Sequence, residues 1–157
     1  MFWGHVDEGG DNTKFTTPAD PIRDILGAGK LSHPEEWNRM INEMREAGCE
    51  IIEREGVMAY GPLKKGEAGQ LLIDPNASIS ALMHEYTHFL EAKSNGYPSA
   101  AEAYMDWQKR IDEEWKCYSK EIEFAEELGL NDVVEQLIKN FEEEKQDIIN
   151  RFKPIDE

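Results

Sequence analysis

The fold is decided by the stretch Ile79-Ser80-Ala81-Leu82-Met83-His84-Glu85-Tyr86-Thr87-His88-Phe89-Leu90-Glu91, which contains the pattern H-E-x-x-H. Histidines four positions apart lie one turn above each other on a helix, so both can bind the same metal ion. Ser78 supplies an N-cap before the stretch, and Gly96 supplies a stop after it. The sequence therefore predicts a helix that presents His84 and His88 side by side.

The two faces of this helix differ in polarity. At ~100° per residue the apolar positions fall on one stripe, and His84 and His88 point away from it. A histidine pair that only filled a core would lie within the stripe, whereas a ligand pair should line a cleft opposite the packed face. We therefore expect a cleft on the histidine side and packing on the stripe, which consists of Ile79, Leu82, Met83, Tyr86, Phe89 and Leu90.

Two histidines leave a metal site incomplete, since catalytic zinc sites usually have three protein ligands. Glu114 is the candidate for the third, because it lies close to the apolar stripe of a later helix, where an unpaired carboxylate would be costly. Glu121, seven residues further along the same helix, stays an alternative. Glu91, on the histidine helix itself, is interpreted as a partner that orients a ligand. Asp112 and Glu113 are predicted to project away.

The rest of the chain predicts an α+β fold, with an N-terminal helix and a small antiparallel sheet packed on the H-E-x-x-H helix and a long helical hairpin after it. The first helix is expected to begin at the capping box Ser32-His33-Pro34-Glu35. Three short apolar runs between Cys49 and Asp74 predict the strands. A helix over 99–128, whose apolar stripe includes Tyr104 and Trp115, and a last helix capped by Asn131-Asp132 predict the hairpin.

One domain is expected over 1–157. Its predicted parts are an irregular arm (1–31) with one short helical turn at 22–26, the segment with the sheet and the H-E-x-x-H helix (32–96), and the hairpin that supplies the third ligand (97–157). A content of 39% apolar residues is ample for one core. His5 and His33 near the arm are interpreted as surface residues.

The net charge and composition of the chain limit the classes of partner that it is expected to bind. The net charge of −16 argues against nucleic acid and anionic membranes, which would repel the chain. No apolar run approaches the ~20 residues of a membrane span, and no signal peptide is evident. We expect a soluble, cytoplasmic protein, or a piece of a larger or exported one, and the sequence does not indicate its oligomeric state. Cys49 and Cys117 lack metal-site spacing and predict buried, reduced thiols.

The region from about Cys49 to Ala125 resembles a zincin metallopeptidase, most closely the gluzincin type, in which a helix with a Glu ligand follows the H-E-x-x-H helix. The segment Glu114-Trp115-Lys116-Cys117-Tyr118-Ser119-Lys120-Glu121-Ile122 is similar to a Glu-x-x-Ala ligand helix, with Cys117 where a small residue is expected. The compact size also resembles zincin domains of phage-associated and polymorphic-toxin proteins of bacteria. No resemblance extends to residues 1–31 or to the last helix.

The resemblance implies a zinc ion, a peptide or protein substrate, and Glu85 as the catalytic residue. Glu85 would take a proton from a zinc-activated water and pass it to the leaving amine. Tyr118, one turn from Glu114, and Tyr97, after the motif helix, are candidate donors to the oxyanion.

Two rival hypotheses remain. The first is a catalytically silent binding module with the zincin fold, acting through its acidic helical hairpin on a basic partner. The second is a purely structural helical protein without a metal. The intact Glu85 favours the enzyme, because metal binding alone does not require it.

Overall fold

A computed structural model describes residues 18–152 of the chain. In this range the fold is α+β, as predicted, with three strands between two groups of helices. The elements are α1 Arg23–Leu26, α2 Gly29–Ser32, α3 Pro34–Glu46, β1 Glu50–Glu53, β2 Met58–Gly61, β3 Gln70–Ile73, α4 Ile79–Ser94, α5 Ala100–Met105, α6 Trp107–Glu127 and α7 Asn131–Phe152. His5 lies outside the described residues.

The sheet is mixed, so the predicted antiparallel sheet is wrong. β1 runs parallel to β3, with Glu50 opposite Gln70, and β2 runs antiparallel to β3, with Met58 opposite Ile73. The strands alternate in direction along the chain, as in a simple meander, but β3 lies between the other two. The last three residues of β3 are buried, and this strand takes the centre, where both of its edges are paired.

Helix α4 lies between two layers of structure. Its contacts run to α2, α3 and β2 and also to α6. The expected cleft on the histidine side is found at His88, which lines one, whereas His84 is fully buried and Leu90 of the apolar stripe is exposed. Amphipathic patterning could not show this, because α6 covers the histidine face with polar side chains.

The helix predicted over 99–128 is broken in two. Asp106 has an extended backbone (φ −101°, ψ 98°), and its side chain accepts a hydrogen bond from the Lys109 N–H, so it caps α6. Ser99 and Glu102 form a capping box at the start of α5. Each break is made by a short polar side chain that satisfies the free N–H groups of a helix start.

The N-terminal part also departs from expectation. The predicted capping box does not form, because His33 takes the N-cap position of α3 and makes no side-chain cap; Pro34 is the first helical residue. The Ser32 hydroxyl instead contacts His33 Nδ1 at 2.8 Å. The glycine-rich segment predicted as irregular contains α2. Gly29 is required there, since a Cβ would lie 2.6 Å from the Ile79 backbone nitrogen.

The N-terminal segment is tied to both helical groups. The buried Asp20 carboxylate accepts hydrogen bonds from the backbone N–H and the hydroxyl of Ser78, the N-cap of α4. The Asn140 amide donates to the carbonyl of Pro18. The segment therefore packs against the start of α4 and against α7.

Among the helices of residues 18–152, none has the length and apolar character needed to cross a bilayer.

Candidate metal centre

The Glu114 carboxylate lies between the two histidines of α4. Its Oε1 is 3.2 Å from His84 Nε2, and its Oε2 is 3.1 Å from His88 Nε2. These atoms come from α4 and α6, and the three side chains are almost completely buried. The fold thus brings together the three residues that the sequence selected as metal ligands.

The donor types of this cluster are ones that bind metal ions. Imidazole nitrogen and carboxylate oxygen are both ligands of zinc. The distances of 3.2 and 3.1 Å join each Nε2 to a different oxygen of Glu114 and have the length of hydrogen bonds. The cluster thus combines donor groups that could hold a metal ion.

Two further carboxylates hold the outer nitrogens of the imidazoles. Glu121 Oε2 lies 2.8 Å from His84 Nδ1, and its other oxygen accepts a hydrogen bond from the Ser80 hydroxyl. Glu113 Oε2 lies 2.7 Å from His88 Nδ1. Each contact fixes its ring with Nε2 directed at Glu114, as partners of metal-binding histidines do.

The expectations for two glutamates are therefore corrected. Glu113 was predicted to project away from the site, but it contacts His88. Glu91 was interpreted as an orienting partner, but its carboxylate forms an ion pair with Lys116 at 3.1 Å. Helix α6 passes close enough to α4 to supply the orienting groups itself, which the spacing within α4 could not reveal.

Glu85 lies on the side of α4 that faces the sheet. The backbone N–H of Tyr60, in the edge strand β2, donates to its Oε1 at 2.7 Å, while Oε2 is buried and has no hydrogen-bond partner among residues 18–152. Burial raises the pKa of Glu85 to about 7, although the nearby His84 and His88 oppose the shift. A carboxylate that titrates near neutral pH with one free oxygen suits proton transfer.

The carboxyl groups around the histidines favour the protonated imidazoles. Burial lowers the pKa of His84, but its hydrogen bonds with Glu114 and Glu121 outweigh burial and raise the pKa to about 9. Burial raises the pKa of Glu144, on α7, to about 8, and the negative charge of Glu114 adds to the shift. Both raised pKa values mean that the cluster holds protons near neutral pH, and a metal ion bound by the imidazoles would displace the protons of their ring nitrogens.

A cleft of about 380 Å³ opens onto this centre. His88 and Glu114 contribute to its wall, together with Glu113 and the aromatic rings of Tyr60 and Tyr104. Basic groups also reach it, namely Lys65, Lys109 and Arg110. The cleft is large enough for a few side chains of a ligand and combines acidic, basic and aromatic surfaces.

The tyrosines lie in different positions from those expected. Tyr118 is fully buried, with its ring edge-on to that of His84 at 4.5 Å between centroids. Tyr97 packs near Phe89, and neither tyrosine is among the residues that line the cleft. Tyr104, which the sequence placed on a packing stripe, does line it, below the guanidinium of Arg110.

Hydrophobic periodicity did not predict which polar residues of α6 are buried against α4. The predicted stripe included Trp115, which is 47% exposed. The buried stripe that faces α4 instead contains Glu114, Cys117 and Glu121. The spacing of these three residues, at intervals of three and four, does indicate that they share one face of the helix. It does not indicate that this face is buried, because a polar face on an acidic helix is most often solvated.

Cys49 and Cys117 are both free and buried, as predicted. Cys117 belongs to the one group of three or more potential ligand side chains found in residues 18–152, together with His84 and His88. Their donor atoms all lie within 4.8 Å of one another. A metal ion of unspecified identity could therefore be held here.

Comparisons with protein-family models, with curated proteins and with solved structures found no significant match to this chain. The assignment of a function therefore depends on the geometry of the chain's own residues.

Proposed function

We propose that this protein is a zinc-dependent endopeptidase with a zincin-like fold, in which His84, His88 and Glu114 bind the ion and Glu85 transfers the proton. The observation that supports it most is the Glu114 carboxylate, which lies 3.2 and 3.1 Å from the two Nε2 atoms at the wall of a cleft. The orienting contacts of Glu113 and Glu121 support the same assignment.

Each residue has a distinct part in the proposed hydrolysis. When bound, zinc supplies a Lewis acid that polarises the scissile carbonyl and makes a nearby water more acidic. Glu85 Oε2 accepts a proton from the water and returns it to the leaving amine. The Tyr60 N–H holds Oε1 and so fixes the orientation of this carboxylate. Of the tyrosines, Tyr104 is better placed in the cleft than Tyr118 to donate to an oxyanion.

A catalytically silent binding module is the second candidate. Glu85 is fully buried and is not among the residues that line the cleft. A water between Glu85 and the ion would have to enter behind the wall formed by His88 and Tyr60. In the binding module the same ion would stabilise the fold, and the acidic surface would bind a basic partner.

Glu85→Gln separates the two candidates, since the substitution is nearly isosteric and Glu85 is not a proposed ligand. We expect the variant to retain about one zinc per chain and its fold while hydrolysis falls by ~10²-fold or more. Zinc content is measured by elemental analysis and cleavage with a broad peptide library. Cleavage at the wild-type rate would refute the role of Glu85.

The ligand assignment is tested in parallel with His84→Ala and His88→Ala. Both are expected to lose zinc, whereas His33→Ala, at a half-buried histidine near Phe124, is the matched control and should retain it. Zinc-loaded wild type that cleaves no peptide in the library would reject the peptidase and leave the binding module. Full zinc occupancy in a variant that carries both His84→Ala and His88→Ala would place the ion elsewhere.

A further inference from the structure

Cys117 is placed differently from the other thiol of the chain. It is fully buried on α6, and it hydrogen-bonds to His88. Its sulfur lies within 4.8 Å of a ring nitrogen of each histidine. Cys49 is also buried, but its sulfur donates to the carbonyl oxygen of Glu50, at 3.7 Å. Burial is therefore common to both thiols, while proximity to the two imidazoles belongs to Cys117.

The helical spacing explains this position. Cys117 follows Glu114 by three residues and precedes Glu121 by four, so all three side chains lie on one face of α6. That face packs against α4, where His84 and His88 lie. The Cys117 side chain, one turn after Glu114, therefore faces the two histidines of α4.

We propose that the Cys117 sulfur is itself a ligand of the ion, together with the imidazoles of His84 and His88. This inference rests on the proposed function for the presence of an ion at the site, but not on peptide hydrolysis. The donor set would contain two imidazoles, the Glu114 carboxylate and one thiolate. Zinc accepts sulfur, nitrogen and oxygen donors, so these four side chains would complete its usual tetrahedral set, and a water would enter only by expansion to five ligands.

A thiolate changes which ions the site prefers. Soft sulfur donors favour zinc and similar transition metals, whereas magnesium, calcium and manganese prefer oxygen donors. A site with only two histidines and a carboxylate would discriminate less between these groups. Cys117 would therefore make the centre selective for zinc-like ions.

Cobalt(II) is the probe for this ligand, because it replaces zinc and reports its donors by absorption. Wild-type protein, purified with a phosphine reductant to avoid added thiols, is titrated with cobalt. We expect visible d–d bands together with a near-ultraviolet thiolate-to-cobalt charge-transfer band. Cys49→Ala, the matched control, should show both. Cys117→Ala should retain the d–d bands and lose the charge-transfer band.

Zinc affinity gives a second readout. Competition with a chromophoric chelator should show at least ~10-fold weaker zinc binding by Cys117→Ala than by wild type, with Cys49→Ala unchanged. Circular dichroism checks the fold of each variant. If Cys117→Ala does not fold, Cys117→Ser keeps the side-chain size and should likewise lose the charge-transfer band.

The outcomes distinguish this inference from the proposed function. Cobalt binding by wild type without a charge-transfer band would reject Cys117 as a ligand and leave the metallopeptidase proposal intact. A band that persists in folded Cys117→Ala or Cys117→Ser would also reject it. Wild type that binds neither cobalt nor zinc would overturn both proposals together.

Discussion

Glu114 and Glu121 contact different nitrogens of the same imidazole. Glu114 lies beside His84 Nε2, and Glu121 lies beside His84 Nδ1. Since the two carboxylates lie two turns apart on α6, each reaches the ring from a different side. In the proposed site, Glu114 would bind the ion and Glu121 would hold the ring that binds it.

Substitution by Gln tests this division, since it keeps the size of the side chain and removes its charge. We expect Glu121→Gln to weaken zinc binding by ~10–100-fold, the usual effect of losing an orienting partner, and Glu114→Gln to weaken it more. Glu123→Gln, on the exposed side of α6, serves as the control. Affinities come from chelator competition. A larger loss with Glu121→Gln would move the third ligand two turns along the helix.

Helix α4 depends on one buried residue at its start. The Ser78 hydroxyl accepts a hydrogen bond from the Ala81 N–H at 3.1 Å and donates to Asp20 Oδ1 at 2.6 Å. It therefore caps the helix and also satisfies a buried carboxylate. The same serine joins the N-terminal segment to the element that holds the histidines.

Ser78→Ala is expected to be costly for this reason. The loss of the cap costs ~1 kcal/mol, and the buried acceptor left on Asp20 costs a further ~1–3 kcal/mol. Ser99 caps α5 in the same way, but its side chain is not buried. Ser99→Ala should therefore cost only ~1 kcal/mol. Urea denaturation measures both free energies of unfolding. Equal costs would show that the contact with Asp20 contributes nothing.

Over the whole molecule, buried carboxyl groups make stability depend on pH. Burial raises the pKa of Asp20 from the ordinary value of 3.8 to about 7, although its hydrogen bonds with Ser78 oppose the shift. A raised pKa in the folded state means that folding favours the protonated form. The associated stability is complete below pH 4 and is lost as the pH rises towards 7.

Asp20→Asn removes this titration while retaining an acceptor for Ser78. The free energy of unfolding of wild type relative to Asp20→Asn should fall as the pH rises from 4 to 7, by at most ~4 kcal/mol, and then level off. Urea denaturation at a series of pH values, with chelator present, measures this difference. A difference that is constant with pH would show that Asp20 titrates near its ordinary value when folded, and one that grows with pH would show that folding lowers its pKa.

Local patterns determined the elements of this protein and the pairing of its histidines. Ser78 and Gly96 bound the H-E-x-x-H helix, and the backbone period alone places His84 and His88 on one face. The same reasoning selected Glu114 from the cost of burying a carboxylate. These features depend on residues close together in sequence, whose geometry the helix fixes before any other element packs against it.

Only the tertiary structure decided which surfaces meet. It placed β3 between β1 and β2, covered the histidine face of α4 with α6, and brought Glu113 and Cys117 to the imidazoles. Each of these depends on packing between elements that are far apart in the sequence. A carboxylate or thiol on an amphipathic helix has the same local pattern whether it faces water or a histidine, so its role follows from the element packed against it.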